Sequence, residues 1–160
     1  MNEEKSETIE TKVNDVELAK ADPVKRIIAF IIDALASMIV GFIPFIGGII
    51  GALYMLLRDA LPIEALEYQS IGKKLLKLSV VNTEATTKVD YAISAKRNWM
   101  FALGPLMLFF LFIPIIGWII DILLGIAVLI LVIIEIIKIF TDEKGLRLGD
   151  KMAGTMVIEK

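Results

Sequence analysis

The residue of this sequence best suited to chemistry is an aspartate inside an apolar run. Asp33 follows Arg26 by seven residues, or two turns of one helix face, and so lies about 10 Å into the apolar stretch that begins at Ile27. A lone carboxylate at that depth costs at least about 2.5 kcal/mol. The pattern predicts either an ion- or proton-binding carboxylate facing the bundle interior, or a neutral or paired aspartate that hydrogen-bonds a neighbouring helix and fixes its position.

Other charged residues at the ends of apolar segments could complete such a site. Arg58 and Asp59 end the first apolar block, and a helical hairpin would bring them back beside Arg26. An ion pair between Arg26 and Asp59, or between Arg97 and Asp33, is therefore a candidate. The alternative is that Arg58 snorkels to the interface as an anchor, while Asp59 only marks the end of the helix.

Three lysines make the segment 69–78 basic and amphipathic. Lys73, Lys74 and Lys77 predict contact with anionic headgroups at the inner leaflet, at about 1 kcal/mol for each lysine near the surface. The alternative is an ordinary basic flank that sets the membrane topology. The two interpretations do not exclude each other.

The composition removes several classes of function. The chain has no Cys and no His, which excludes disulfides, thiol nucleophiles, imidazole bases and the usual Cys or His metal sites. No glycine-rich phosphate loop follows a strand. We therefore expect no catalytic residues, no metal and no cofactor, and we expect that the chain is not an enzyme. A net charge of −2 gives no indication of nucleic-acid binding.

The elements that must position these residues are apolar helices. Of the 160 residues 57% are hydrophobic, and they gather in two blocks, 27–57 and 99–140, each interrupted by a proline and glycines. Each block exceeds the roughly 20 residues that one helix needs to cross a bilayer. Glu135 and Lys138, near the end of the second block, are explained by a snorkelling i,i+3 pair. The predicted spans are about 27–43, 46–61, 98–113 and 118–140.

The two blocks resemble each other. Residues 42–50 recur as 112–120 at an offset of 70, and the basic pair 25–26 recurs as 96–97 at an offset of 71. The pattern predicts an all-α integral membrane protein with four transmembrane helices in two tandem parallel-repeat hairpins, plus short β-like cytoplasmic segments. The predicted units are an acidic disordered tail (1–22), a first hairpin (23–81), a connector (82–95) and a second hairpin (96–160).

Charge predicts the orientation of these hairpins. The turns 42–48 and 112–117 carry no charged residue, whereas the segment 58–97, which includes the connector, and both ends of the chain carry Lys and Arg. The positive-inside rule then places both termini and the connector in the cytoplasm, with the protein integral to the plasma membrane. The β-like runs 76–81 and 155–159 occupy equivalent repeat positions, and we expect them to pair.

Several short motifs resemble those of the RDD family of membrane proteins. They are Arg26 with Asp33, the run from Gln69 to Lys74, Arg97-Asn98, and the run 147–157 with its Gly-Asp-Lys-x-Ala-Gly-Thr core. The resemblance covers about residues 24–159. It implies that Arg26 is the arginine for which the family is named and Asp33 its first aspartate. It makes either Asp150 or Asp59 the second. Gly149 stands where the family often has a histidine.

The resemblance implies a membrane protein that transports an unidentified ligand, exchanges sodium for protons, or regulates membrane proteases. We expect transport, with Asp33 as the exchange carboxylate of a cation–proton antiporter. The alternative is a non-transporting regulator or scaffold that binds another membrane protein through the N-terminal tail or the cytoplasmic face. The expected partners are the lipid bilayer, a second copy of the chain and such a membrane protein.

Overall fold

The computed structural model describes residues 20–83 and 89–160, and this part of the chain is mostly helical. A short 3-10 turn, Glu64–Leu66, precedes the helix that begins at Ile71. The helices are α1 (Pro23–Gly41), α2 (Gly47–Leu57), α3 (Ile71–Leu75), α4 (Tyr91–Phe110), α5 (Ile116–Thr141) and α6 (Leu148–Ala153); the strands are β1 (Leu78–Asn82) and β2 (Thr155–Glu159).

Aspartates cap the N-termini of α1 and α4. Asp22 accepts hydrogen bonds from the backbone N–H groups of Val24 and Lys25, and Pro23 follows at the first helical position of α1. Asp90 caps α4 in the same way. The sequence predicted that the third span begins at about residue 98. The helix instead begins at Tyr91 and runs through Pro105, because no glycine or proline interrupts the chain between residues 91 and 98.

The two hairpin turns have the same backbone shape. Phe45 and Ile115, which are 70 residues apart, both adopt a positive φ, at 63° and 66°. In each turn a glycine at the first or second position of the next helix is in close contact with the preceding helix: a Cβ on Gly47 would lie 2.2 Å from the Val40 carbonyl oxygen, and a Cβ on Gly117 would lie 2.0 Å from that of Phe110. The duplication itself stays a prediction, and these turns agree with it.

The predicted pairing of the β-like runs is confirmed. β1 and β2 form an antiparallel pair with Val80 opposite Val157. The end of the predicted N-terminal tail lies on the other edge of β2, where the Ala21 N–H donates to the Val157 carbonyl at 3.1 Å and Lys20 bridges to Ile158. Residues 20–22 therefore belong to the folded unit. The rest of the tail lies outside the described residues, as does 84–88 of the connector.

One described helix is long and apolar enough to cross a membrane. It is α5, whose 26 residues span about 39 Å, and only 6% of its most apolar stretch is buried in the protein. The 11 residues of α2 reach about 16 Å, against a hydrocarbon layer of about 30 Å. α1 is longer but carries Lys25, Arg26 and Asp33. Four transmembrane helices thus remain a prediction.

The short helices α3 and α6 each press a glycine against a long helix, and this contact can be tested. A Cβ on Gly72 would lie 2.0 Å from the Ala29 carbonyl oxygen, and one on Gly149 would lie 2.2 Å from that of Arg97. Gly72→Ala and Gly149→Ala are each expected to lower the free energy of unfolding by about 1–3 kcal/mol, because the backbones must separate. Circular dichroism during heating in mild detergent measures the effect.

The matched control is Gly104→Ala in α4, where an added Cβ meets no atom of the described residues within 4 Å. Alanine favours a helix over glycine by up to about 1 kcal/mol, so this variant is expected to melt at or slightly above the wild-type temperature. Wild-type melting of Gly72→Ala would contradict the close contact.

Candidate functional site: a buried charge cluster

Nine charged side chains meet in the interior, where α1, α3, α4 and α6 approach the ends of α2 and α5. Each is at most 7% exposed, although charged groups are rarely buried unless they are paired. Five are cations and four are carboxylates. We call them the charge cluster: Arg26, Arg58, Lys73, Arg97, Arg147, Asp33, Asp59, Glu135 and Asp150.

Asp33 joins α1 to α2 and α3. Its Oδ1 accepts hydrogen bonds from the Tyr54 hydroxyl and the Gly72 N–H, both at 2.8 Å, and its Oδ2 pairs with Arg58 Nη1 at 3.1 Å. The carboxylate is fully buried. Of the two interpretations left open by the sequence, this geometry favours the paired aspartate that fixes neighbouring elements.

Asp59 joins the end of α2 to α3 and α4. Lys73 Nζ forms a buried ion pair with Oδ1, while Oδ2 accepts a hydrogen bond from Asn98 at 2.9 Å and lies 3.3 Å from Arg97 Nε. The Asp59 N–H also donates to the Ser94 hydroxyl on α4. Asp59 therefore holds α3 and α4 to the end of α2.

Asp150 is surrounded by three arginines. Its carboxylate pairs with Arg26 at 2.5 Å, Arg147 at 3.1 Å and Arg97 at 3.2 Å, and it accepts the Arg147 backbone N–H at 3.1 Å. The residue is fully buried. Through these contacts α6 is held to both α1 and α4.

Glu135 holds the other side of α6. Its two carboxylate oxygens accept the backbone N–H groups of Leu148 and Gly149, each at 3.1 Å, at the first turn of that helix. The predicted surface pair with Lys138 was wrong, since Glu135 is only 2% exposed. The cost of a lone acid in an apolar run, which drew attention to Asp33, would also have indicated this residue.

The structure brings together all five charge-pair candidates from the sequence, but not in the expected pairs. Asp33 pairs with Arg58 rather than Arg97, and Arg26 pairs with Asp150 rather than Asp59. Arg26 has a different partner because α6 packs against α4 and brings Asp150 to it. Arg58 does not snorkel to an interface, because it is 1% exposed and stacks between the rings of Phe30 and Phe101.

The three lysines expected at the headgroup surface have different environments. Lys73 is 6% exposed and paired with Asp59, so it lies inside the charge cluster rather than at a lipid surface. Lys74 is partly exposed and pairs with Glu67, while Lys77 is exposed. A headgroup role is therefore available only to Lys74 and Lys77. Arg147 was missed as a separate candidate, although its i,i+3 spacing to Asp150 was visible.

Two arginines keep unused donors. Arg97 is fully buried, and its contacts to Asp59 and Asp150 are ion pairs whose angles do not suit a hydrogen bond. Its Nη1 has no hydrogen-bond partner among the described residues, and the same is true of Arg58 Nε. A buried donor without a partner is costly, so each such atom needs an explanation.

A cavity of about 50 Å³ lies between α1 and α5, and both of these arginines line it. That volume has room for about three water molecules or one small polyatomic ion. Its lining includes all five cations of the charge cluster but only two of the carboxylates, Asp33 and Glu135. Val132, Ile136 and Ile139 of α5 form an apolar wall.

The surplus of cations determines the protonation of the groups at the ends of the helices. Burial alone would raise the pKa of Asp150, but Arg147, Arg97 and Arg26 hold it well below its ordinary value. Burial lowers the pKa of Lys73 to about 7, against the attraction of Asp59 and with the repulsion of Arg58 and Arg97.

Comparison with known families gives one match. Residues 44–154 of the 160 fit the sequence pattern of the RDD family, which is more than two thirds of the chain. The chain belongs to the RDD family. RDD proteins are membrane-associated, and α5 fits insertion into a bilayer. The comparison with curated proteins finds no match, and the comparison with solved structures finds none.

The matched range contains three of the five charge-pair candidates, Asp59, Arg97 and Asp150. Arg26 and Asp33 precede it, so their assignment as the arginine and first aspartate of the RDD family stays a prediction. In the structure Arg26 and Asp150 form a direct ion pair, whereas Asp33 and Asp59 each have other cationic partners.

Asp150 is the carboxylate whose loss should cost most. Asp150→Asn leaves Arg26, Arg97 and Arg147 with a neutral partner, and breaking a buried ion pair costs about 3–5 kcal/mol. We expect a correspondingly large drop in the thermal stability of the detergent-solubilised protein. The control is Glu67→Gln, which removes two pairs with exposed lysines and should leave the melting temperature unchanged. Equal losses of thermal stability in Asp150→Asn and Glu67→Gln would contradict the structural role of Asp150.

Proposed function

We propose that this RDD protein is a membrane-embedded transport unit for a small charged solute and that the cavity between α1 and α5 is its binding site. The observation that supports this most is the position of the cavity, with buried charged side chains on one side and the apolar wall of α5 on the other. Small-ligand sites typically combine an apolar pocket with a few convergent polar groups.

The geometry argues against cation–proton exchange through Asp33. A carboxylate that binds Na⁺ must offer free oxygen lone pairs, but Asp33 already accepts from Tyr54, Arg58 and Gly72. Its immediate cationic neighbour would repel a second cation. The surplus of arginines around the cavity extends that repulsion to the whole site. Transport of a different solute therefore fits the residues better than antiport of sodium or potassium.

A single chain leaves much of its apolar helix surface uncovered. A complete pathway across the bilayer therefore needs more helices than one chain supplies. Most of α5 is exposed, including Ile122, Leu123, Ile126 and Leu129. In a membrane this surface meets either lipid or another helix. We propose that a second copy of the chain packs there, since homo-oligomers commonly complete a site that one small subunit leaves open.

The proposed transport can be tested by filling the cavity. Val132→Phe extends a ring into the space from the apolar wall without removing any charge, whereas Ile133→Phe changes the neighbouring side chain, which is 48% exposed and outside the lining. Proteoliposomes containing each protein are tested for the flux of sodium, potassium, chloride, sulfate, phosphate and acetate. We expect wild type and Ile133→Phe to carry at least one of these solutes and Val132→Phe to lose it.

Absence of flux of every solute from correctly folded wild type would overturn the transport proposal. So would equal flux from Val132→Phe and Ile133→Phe, because the cavity would then not be the route.

The alternative function is regulation of another membrane protein, such as a membrane protease. It is favoured by the extensive engagement of Asp33, Asp59 and Asp150, which resembles a rigid scaffold more than an exchange site. Deleting residues 1–19 separates the two functions, because it removes the acidic tail but spares the segment that pairs with β2. We expect the truncated protein to keep the wild-type flux. A regulator would instead lose its partner, detected by co-purification from the host membrane.

A further inference from the structure

We infer that the cavity between α1 and α5 binds a small anionic group, such as a phosphate, sulfate or carboxylate. This inference rests on the proposed function and gives its ligand a chemical class. It follows from the charge of the cavity lining, from the unused donors of two arginines and from the size of the space. The same chemistry would suit a free anion or the phosphate of a lipid headgroup.

The charge of the lining is the first argument. All five cations of the charge cluster line the cavity, but only Asp33 and Glu135 represent the carboxylates. Both acids are occupied, Asp33 by Tyr54, Arg58 and Gly72 and Glu135 by the first turn of α6. Asp59 and Asp150 do not line the space. A solute in the cavity therefore meets a positive field, and one added negative charge would balance the five cations against four carboxylates.

The unused donors are the second argument. Arg97 lines the cavity, is fully buried and has no hydrogen-bond partner for Nη1 among the described residues. Arg58 also lines the cavity, and its Nε has no hydrogen-bond partner among the described residues. Guanidinium groups bind oxyanions strongly because they offer several donors in one plane. An anion in the cavity would provide acceptors for both residues without displacing any pair already made.

The size and the walls are the third argument. About 50 Å³ admits one tetrahedral or planar oxyanion, but not a nucleotide or a peptide. The wall formed by Val132, Ile136 and Ile139 belongs to α5, the helix of membrane length. If the anion carries an alkyl substituent, that substituent would contact this apolar surface. A free anion would have the same surface as one wall of its site.

Binding of the anion should be coupled to protonation of Lys73. This lysine faces Asp33 on α1, Arg58 and Asp59 at the end of α2, and Arg97 on α4, and these surroundings lower its pKa to about 7. Near neutral pH a bound anion would favour the protonated lysine and so take up a proton. Raising the pH through about 7 removes that positive charge and should weaken the binding of the anion.

The test is equilibrium binding of radiolabelled sulfate and phosphate to the full chain in nanodiscs of phosphatidylcholine. We expect one saturable site per chain. Arg97→Gln should weaken it by about tenfold or more, because a charged hydrogen bond is lost. Lys74→Gln, at a partly exposed lysine outside the charge cluster, should bind as wild type. With sulfate, whose charge is constant near neutral pH, affinity should fall as the pH rises through about 7, and Lys73→Gln should flatten that dependence.

Nanodiscs of phosphatidylglycerol distinguish the two sources of the anion. If a lipid headgroup occupies the cavity, the anionic lipid should compete with sulfate and suppress its binding. If the ligand is a free solute, sulfate should bind equally in both lipids. Either result supports an anion site.

A second variant guards against the failure of Arg97→Gln to fold. Val132→Phe keeps every charge, so it should abolish sulfate binding while Ile133→Phe preserves it. Absence of saturable anion binding by folded wild type in both lipids would overturn the inference, as would binding insensitive to Val132→Phe. If flux of a cation is blocked by Val132→Phe while no anion binds, transport stands and the anion class fails. If anions bind but no solute is carried, the anion site stands and transport fails.

Discussion

The need to neutralise buried cations is the constraint on which the rest of this structure depends. A charge removed from water is tolerated only with partners, and here the partners come from different segments of the chain. Asp33 holds α1 to α2 and α3, whereas Asp150 holds α6 to α1 and α4. The helices cannot shift independently without exposing or isolating one of these charges. The short segments α3 and α6 thus act as links between the two hairpins.

The backbone permits these links to be close. Gly72 and Gly149 are the second residues of short helices that lie directly against the carbonyl groups of α1 and α4, and the N–H groups of both donate to buried carboxylates. In each case a glycine supplies both the close approach and the donor. The remaining surplus of positive charge is what gives the cavity a chemical preference. The excess of buried cations over buried carboxylates therefore accounts for both the links between the helices and the proposed anion site.

The sequence predicted much of this organisation, because apolar blocks, turns and isolated charges are local signals. The hairpin turns, the β1–β2 pairing and the RDD family were all accessible from short patterns. The ion pairs were not, because they depend on how the elements pack in three dimensions. Arg58 and Lys73 occupy sequence positions typical of surface anchors, yet both are buried. Glu135 was hidden by a nearby lysine that offered a simpler partner.

The surplus of buried cations calls for an anion beside Arg97 in the cavity between α1 and α5. Anomalous X-ray scattering from crystals of the protein grown with bromide tests this most directly. We expect an anomalous peak within hydrogen-bonding reach of the unused Arg97 Nη1 and next to the apolar wall formed by Val132 and Ile136. Bromide peaks at surface lysines, with none in the cavity of the same crystals, would contradict it.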